Sequence, residues 1–416
     1  MSKPEAVLMI GGGALAVPML AHIRTLGFQS IVTDGNPHAP ALRQADAPYV
    51  LSTVDIDGHR QLMPDLLRQW TIRGVVCSGH DVAPTVAVCA QMAGVSGIPV
   101  EVAQRTYDKA EVRHTLTMAA LDGYQPDYVT LYPEEWREMP DLRRFCAASG
   151  QWHAPYPLVI KPTQQRASRG LTIVHHQKDE ASAVRKAFEY SAPILIEQGL
   201  TGTEHSVEAI FGEHHEMLWF NIVDRMFTYD HGLAIETGHV NPTALSHGQQ
   251  GTIRTMLREA AEALDIHWGP FKIDAMWTAD GPKILECTAR LSGGWDSQGT
   301  SPLRGRHPLR TLLHVACGLP VEPILMQAQG YAACAAILPQ VTGIVSAVPQ
   351  WNTLTPMMKA MVSDIIWAIK PGDRIAPAEH NGARAGFVIT YTQTYADAWQ
   401  RALAAAEALA AAIEIE

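Results

Sequence analysis

The chain has 416 residues, 47% of them hydrophobic and 18% charged, which excludes a disordered chain and leaves material for two or three domains with a large core. Its formal net charge of −10 gives no general attraction for nucleic acid, so no nucleic-acid partner is expected, although a local cationic cleft remains compatible with it. The elements then begin with an apolar run at residues 6–10, AVLMI, which reads as a buried strand. A helix from 14 to 26 ending at Gly27, a second strand SIVTD, a helix over 59–70, a strand GVVCS and a helix over 82–92 follow. That alternation predicts an open parallel sheet. Gly11, Gly13 and Ala16 fit the pattern GxGxxA at a strand-to-helix turn, and Asp34 closes the second strand. They read either as a dinucleotide fingerprint, with NAD on the turn and Asp34 on its ribose, or as a tight turn beside an acid that caps a loop.

Residues 106–120, TYDKAEVRHTLTMAA, predict one helix with Asp108, Lys109 and Arg113 early in it. A strand ending at Lys161 and Pro162 leads into a polar loop with Ser168, Arg169 and Gly170, then a strand at 171–174. Such a loop can close over a polyphosphate through backbone N–H groups and positive charge. The strand at 194–196 runs into Glu197, Gln198, Gly199 and Leu200, and Glu204 and Glu208 start a further strand. Residues 228–246 are rich in polar groups, so Tyr229, His231, Glu236 and His239 are candidates to line a substrate pocket.

The stretch FKIDAMWTADGPKILECTARLSGG, residues 271–294, predicts a hairpin turning at Ala279-Asp280-Gly281-Pro282. Asp274 and Glu286 then become near cross-strand neighbours on one face. Two carboxylates ~5 Å apart repel by about 3 kcal/mol at an effective dielectric near 20, so the fold should supply a cation. An oxygen-only pair suits Mg²⁺, which completes its shell with water and nucleotide phosphates. Arg290 lies two strand periods beyond Glu286, where a guanidinium could hold a phosphate oxygen. After the glycines Gly293 and Gly294, Trp295 could wall a pocket, and Arg304 and Arg306 could bind a substrate carboxylate. Proline-bearing segments at 302–308 and 320–323 read as hinges. Beyond residue 330, small apolar strands YAACAAIL and ARAGFVITY precede a final helix, ADAWQRALAAAEALAAAIEI, whose alanine stripe should pack on the sheet.

Six scattered cysteines without a CxxC read as reduced thiols, the start MSKPEAVLMIGGG lacks a signal-peptide shape, and no run of about 18 apolar residues is present. The expectation is a cytoplasmic protein with no membrane partner. None of the 18 histidines shows the HExxH spacing of a zinc helix.

The order of the Asp108-Lys109 helix, VIKP, the Ser168-Arg169-Gly170 loop, ILIEQGLTGTEHSVE and the D-x₁₁-E-x₃-R hairpin with SGG resembles the ATP-grasp carboxylate–amine ligases. The resemblance is to the branch of L-amino-acid ligases related to biotin carboxylase and carbamoyl phosphate synthase, and it covers nearly the whole chain. It implies an α/β (α+β ATP-grasp) fold with a Rossmann-like pre-ATP-grasp sheet over 1–105 that does not bind NAD. A linker helix and lid subdomain over 106–190, a core with nucleotide and metal site over 191–328 and a C-terminal lobe over 329–416 would follow. It further implies that Lys109 and Lys161 contact nucleotide phosphates, with Lys161 on the mobile lid, and that Ser168, Arg169 and Gly170 cover them. Glu197 would accept the adenine amino hydrogen, Gln198 and Leu200 would offer backbone groups, and Glu204 would take ribose hydroxyls. Asp274 and Glu286 would hold Mg²⁺, one ion or two, and Arg290 would steady the transferring phosphoryl group. Many relatives carry Asn where this chain has Thr288, and Glu is commoner than Asp at 274, which bears on the metal count.

The activity implied is ATP-dependent joining of a small carboxylic or amino acid to an amine through an acyl phosphate, releasing ADP and phosphate; the partners are small molecules, and a homodimer is entertained as the assembly. An NAD-dependent oxidoreductase using the front sheet is the alternative. A non-enzymatic ATP-binding module is a third reading. Lys161, Asp274, Glu286 and Arg290 separate them, since hydride transfer has no use for that set.

Overall fold

A computed structural model of the chain describes residues 3–148, 155–165, 168–213, 215–230, 233–321 and 329–416. The first sheet contains strands Glu5–Ile10, Gln29–Asp34, Ala47–Val50 and Thr71–Val76, all parallel, with Glu5–Ile10 between Gln29–Asp34 and Thr71–Val76. AVLMI is fully buried because both faces are covered. Val7 and Met9 pack on Met19, Leu20 and Ile23 of helix Val17–Thr25 and on Leu309, Leu312 and Leu313 of helix Pro308–Ala316. Ala6, Leu8 and Ile10 face the other way, onto Met63 and Leu66 of helix Ile56–Gln69 and Cys89 and Ala90 of helix Ala83–Ala93. One covering helix therefore returns from the far side of the chain.

The expected helix over 106–120 is two helices, Val100–Tyr107 and Lys109–Met118. Asp108 stands between them in an extended conformation, and its carboxylate accepts from the N–H groups of Ala110 and Glu111. An aspartate in that geometry starts a new helix instead of continuing the old one.

A four-stranded antiparallel sheet follows, in the order Tyr128–Leu131, Ile194–Gln198, Leu158–Pro162, Thr172–Val174. Helices Leu142–Ala148 and Glu180–Phe188 bury their apolar sides on Leu158, Ile160, Ile194 and Ile196. The largest sheet has eight strands, beginning with the hairpin Gly281–Thr288 and Gly269–Thr278 and continuing through Thr203–Phe211, Met217–Asp230, Leu233–Asn241, Tyr331–Ile337, Gly386–Thr392 and Asp364–Trp367. Its pairings are antiparallel. Helix His247–Ala263 buries Ile253, Met256, Leu257 and Ala260 on one half. Helix Tyr395–Ala411 packs on the other half through Ala398, Ala402, Ala405, Ala406 and Leu409, so the alanine stripe is a core face. Among the described residues, no helix is long and apolar enough to cross a membrane.

The polar stretch at 228–246 lies mainly in the sheet, where strands Met217–Asp230 and Leu233–Asn241 pair. Nothing is described for the side chain of Tyr229, and His231 lies outside the described residues.

Candidate active site

The hairpin Gly269–Thr278 and Gly281–Thr288 places Asp274 directly opposite Glu286. The register then slips, since Ala275 pairs with Ile284, leaving Leu285 as the extra residue of a bulge. Its carbonyl, released from the ladder, accepts from Arg113 Nη2 at 2.9 Å and from Lys161 Nζ at 3.2 Å. The bulge thus ties the hairpin to the helix Lys109–Met118 and to the four-stranded sheet.

Asp274 and Glu286 face a cavity of about 950 Å³ that lies between the three sheets. Lys109, Lys161, Ser168, Arg169, Glu197, Gln198, Leu200, Glu204, Glu236, Arg290, Gly293 and Gly294 line the same space. Its charges are matched pairwise. Lys109 meets Glu286 at 2.9 Å, Lys161 meets Glu197 at 2.7 Å, and Arg113 meets the other oxygen of Glu197 at 2.8 Å. Asp274 is held by Lys272 and, at 3.1 Å, by Arg225, which also reaches Glu236 at 3.0 Å and Glu204 at 3.7 Å. Arg290 stands 3.4 Å from Asp81, and Arg384 3.5 Å from Glu236.

These pairs set the protonation states. Burial opposes ionisation of Asp274, but Arg225 and Lys272 outweigh it and hold the carboxyl at about 2. Glu236 is likewise held at about 2 against burial by Arg225 and then Arg384. Burial lowers the pKa of Lys161, and Glu197 opposes that shift without cancelling it. For Lys109 the balance is reversed: burial pulls its pKa down, and Glu286 raises it above the ordinary lysine value. Asp274, Glu236 and Lys109 therefore carry charge in a setting that is mostly shielded from water, where a ligand can exchange one counter-ion for another.

Two loops complete the cavity. Ser168 and Gly170 have left-handed backbones, φ 60° and 75°, and a Cβ on Gly170 would come within 2.6 Å of Tyr190 and 2.7 Å of Pro162. Gly170 does not itself line the cavity; it lets the loop turn so that Ser168 and Arg169 do. Asn381, from the last part of the chain, donates to Ser168 Oγ at 3.3 Å and accepts the Glu236 N–H at 2.9 Å.

Four further candidates stand away from the cavity lining. His239 is buried with Nε2 3.0 Å from Thr300 Oγ1, and burial lowers its pKa. Trp295 packs on Cys334, Ile389 and Phe387. Arg304 donates to Asn241 Oδ1 at 2.7 Å and to the Gly330 carbonyl at 3.2 Å, while burial, then Arg306, lowers its pKa to about 10. Arg306 reaches Asn221. These arginines satisfy acceptors inside the core. Asp81, Arg225, Lys272, Asn381 and Arg384 are cavity residues that the sequence did not single out, and Arg113, noted only as part of a helix, is the inner partner of Glu197. Arg225 closes an apolar strand run, LWFNIVD, and nothing local says that three acids converge on it.

The glycine turn at the front is closed by the protein itself. Asp34 accepts the Gly12 N–H at 2.7 Å and the Asn36 N–H at 2.8 Å. His80 stands against the turn, 2.7 Å from a Cβ placed on Gly11 and 3.0 Å from one on Gly13. The acid is a loop cap, and the oxidoreductase reading loses the ribose partner it required.

Residues 154–298 match the family model of the ATP-grasp domain. That stretch carries an ATP-grasp domain, and it holds the hairpin and much of the cavity lining. Residues 335–415 match the model of L-amino acid ligase C-terminal domain 2. Among curated proteins it is 24% identical over 190 residues to a D-alanine–D-alanine ligase of Bacillus velezensis, a match over 45% of this chain that spans about half, 52%, of that relative. Among solved structures, an L-amino acid ligase of Bacillus licheniformis superposes with a TM-score of 0.78 at 19% identity, covering 100% of this chain and 99% of that one. A phosphoribosylglycinamide synthetase of Anaerococcus prevotii does so at 0.73 and 15% identity, over 100% of both chains.

Proposed function

We propose that the chain is an ATP-dependent, ADP-forming ligase that activates a small carboxylic or amino acid as an acyl phosphate and joins it to an amine, giving an amide or peptide. The observation that carries this reading is the cross-strand pair Asp274 and Glu286 in one cavity with Lys109, Lys161 and Arg290. The domains matched and the neighbours named above support it.

The donor set suits Mg²⁺. Among the described residues no group of three or more His, Cys, Asp or Glu is placed to hold a metal, so two carboxylates and ligand oxygens would have to make the shell, as Mg²⁺ accepts and zinc does not. Thr288 Oγ1, one strand period beyond Glu286, is buried without a hydrogen-bond partner and could serve a metal-bound water. When bound, the ion supplies charge neutralisation between phosphate oxygens.

The chain's own residues do the rest. Lys109 exchanges Glu286 for a nucleotide phosphate, Lys161 keeps Glu197 and turns its remaining N–H donors to the phosphates, and Ser168 and Arg169 close over them, which keeps water from the acyl phosphate. Glu197 sits at the strand end with the backbone of Gln198 and Leu200, the expected place for the adenine edge, but both its oxygens are already taken by Arg113 and Lys161. Its part is to fix Lys161, and it meets adenine only if that pair opens. Glu204 serves the ribose. Arg290 holds the phosphoryl group as the substrate carboxylate attacks it, a reaction that needs positioning and charge more than covalent help. Glu236, Gly293 and Gly294 shape the acceptor pocket. All six cysteines are buried, in keeping with a cytoplasmic enzyme, and a homodimer fits this reading.

The test is a phosphate-release screen of amino-acid pairs with ATP and Mg²⁺, with mass identification of the product. Release that requires both an amine and a carboxylate supports the reading. ATP bound without turnover across the panel returns the chain to a regulatory nucleotide binder.

A further inference from the structure

We propose that Asp81, contributed by the first sheet, is the counter-ion that docks the amine substrate in its ammonium form beside the acyl phosphate. The inference rests on the ligase reading and concerns a residue to which that reading gives no role. Asp81 follows the strand Thr71–Val76 at its carboxyl end, where open parallel sheets present ligand-binding groups, and it lines the cavity.

The loop that carries it is locked to the loop after Arg290. Gln298 Nε2 donates to the Ser78 carbonyl at 3.0 Å and to the Ser292 carbonyl at 3.3 Å, clamping the two together. At Gly79, φ 94°, a Cβ would stand 2.4 Å from the Ser292 oxygen, and one on Gly293 would stand 2.9 Å from the Gly79 oxygen. Only glycine lets the backbones touch at this point. Asp81 is thereby fixed relative to Arg290, whose Nε it faces at 3.4 Å. Arg290 Nη1 donates to the Leu291 carbonyl at 3.1 Å, and Nη2 would take a phosphoryl oxygen. The acid and the acyl phosphate would then be separated by the breadth of one guanidinium.

Each acid of the cavity has a cation beside it, Asp81 the Arg290 guanidinium, but the ligase reading gives the others different work. Asp274 and Glu286 are the metal pair, Glu197 lies between Arg113 and Lys161, and Glu236 lies between Arg225 and Arg384. Glu204 shares Arg225 on the same strand face. Asp81 belongs to a different sheet and stands next to the group that holds the reacting phosphoryl. An amine enters as a cation at neutral pH, so a carboxylate there selects charged amines, amino acids among them, and sets the nitrogen beside the acyl carbon; once its proton has passed to Asp81 or to water, the freed lone pair forms the C–N bond and phosphate leaves with the C–O electron pair.

The experiment compares two nucleophiles in the wild type and in Asp81→Asn. A mixture of the twenty amino acids supplies carboxylate and amine for peptide formation; hydroxylamine, uncharged at neutral pH, captures the same acyl phosphate as hydroxamate. Asp81→Asn should lower peptide formation at least about tenfold more than hydroxamate formation, the gap should narrow as pH rises and the amines lose charge, and Asp81→Glu should recover part of it. Unchanged ADP binding by each variant reports an intact fold. Equal loss of both products, at all pH values, would overturn the role of Asp81 and leave the ligase reading standing. Absence of ATP-dependent hydroxamate and peptide in the wild type would overturn both.

Discussion

Asp34 and Asp274 both sit on strands near glycine-bearing turns, and both invite a nucleotide reading from sequence, yet their surroundings differ. Asp34 spends its two oxygens on the N–H groups of Gly12 and Asn36, and its turn is backed by His80. Asp274 faces an open cavity opposite Glu286, and its partners, Lys272 and Arg225, are side-chain cations that line the same cavity. A motif acquires chemistry where the fold leaves its polar groups turned toward space. The same residue types with their bonds satisfied by backbone are structural.

The sharpest way to break this contrast is on the hairpin. Glu286→Ala should lower ADP release by about a hundred- to a thousand-fold with an unchanged far-UV spectrum, because the site loses one of the two carboxylates that would hold Mg²⁺. Turnover persisting in that variant removes the metal assignment. Next in size is Arg225→Met, which strips the shared cation from Glu204, Glu236 and Asp274 and should cost roughly 3–5 kcal/mol in urea unfolding. An unchanged midpoint would mean the three acids are neutralised by other groups.

A third prediction concerns Glu208, which lies beneath the glycine loop and accepts from the Ser292 N–H and Ser297 Oγ. Burial, then Asp296, pushes its carboxyl up to about 8 from 4.5. A raised native value means the folded state binds the extra proton, so this stabilisation is complete below about pH 4.5 and is lost as pH rises toward 8. Replacing it by Gln should flatten that decline, a difference on the order of a few kcal/mol across the window, read as thermal midpoints at pH 5 and pH 8. Parallel curves for the two proteins would contradict it. The smallest effect belongs to the front turn. Asp34→Asn should cost about 1–2 kcal/mol of stability and leave ADP affinity unchanged, measured by calorimetry. A changed affinity would make the turn part of the nucleotide site.

What was legible in the chain follows from range. AVLMI, the hairpin and the alanine-rich helix are specified by neighbours a few residues apart, through buried runs, a two-residue turn and helical periodicity. The break at Asp108 was missed because a capping aspartate and a helical one read alike until the backbone is known. Arg225 and Arg384 came from strands or loops whose partners lie far off in the chain, and Asp81 from another sheet, so nothing local marks them as cavity residues. Arg304 and Arg306 misled for the reverse reason. A basic pair after a glycine loop suggests an anion site, but the fold turns both into the core, where Asn241, Gly330 and Asn221 accept their hydrogens.

The measurement closest to the centre of this account is equilibrium binding of ADP by calorimetry, with Mg²⁺ and with EDTA, to the wild type and to the double variant Asp274→Asn, Glu286→Gln. Wild type should bind at least about tenfold tighter with Mg²⁺, and the double variant should bind equally in both conditions. A wild type indifferent to Mg²⁺, or a double variant that keeps the full difference, would contradict the claim that this acidic pair anchors the nucleotide's metal.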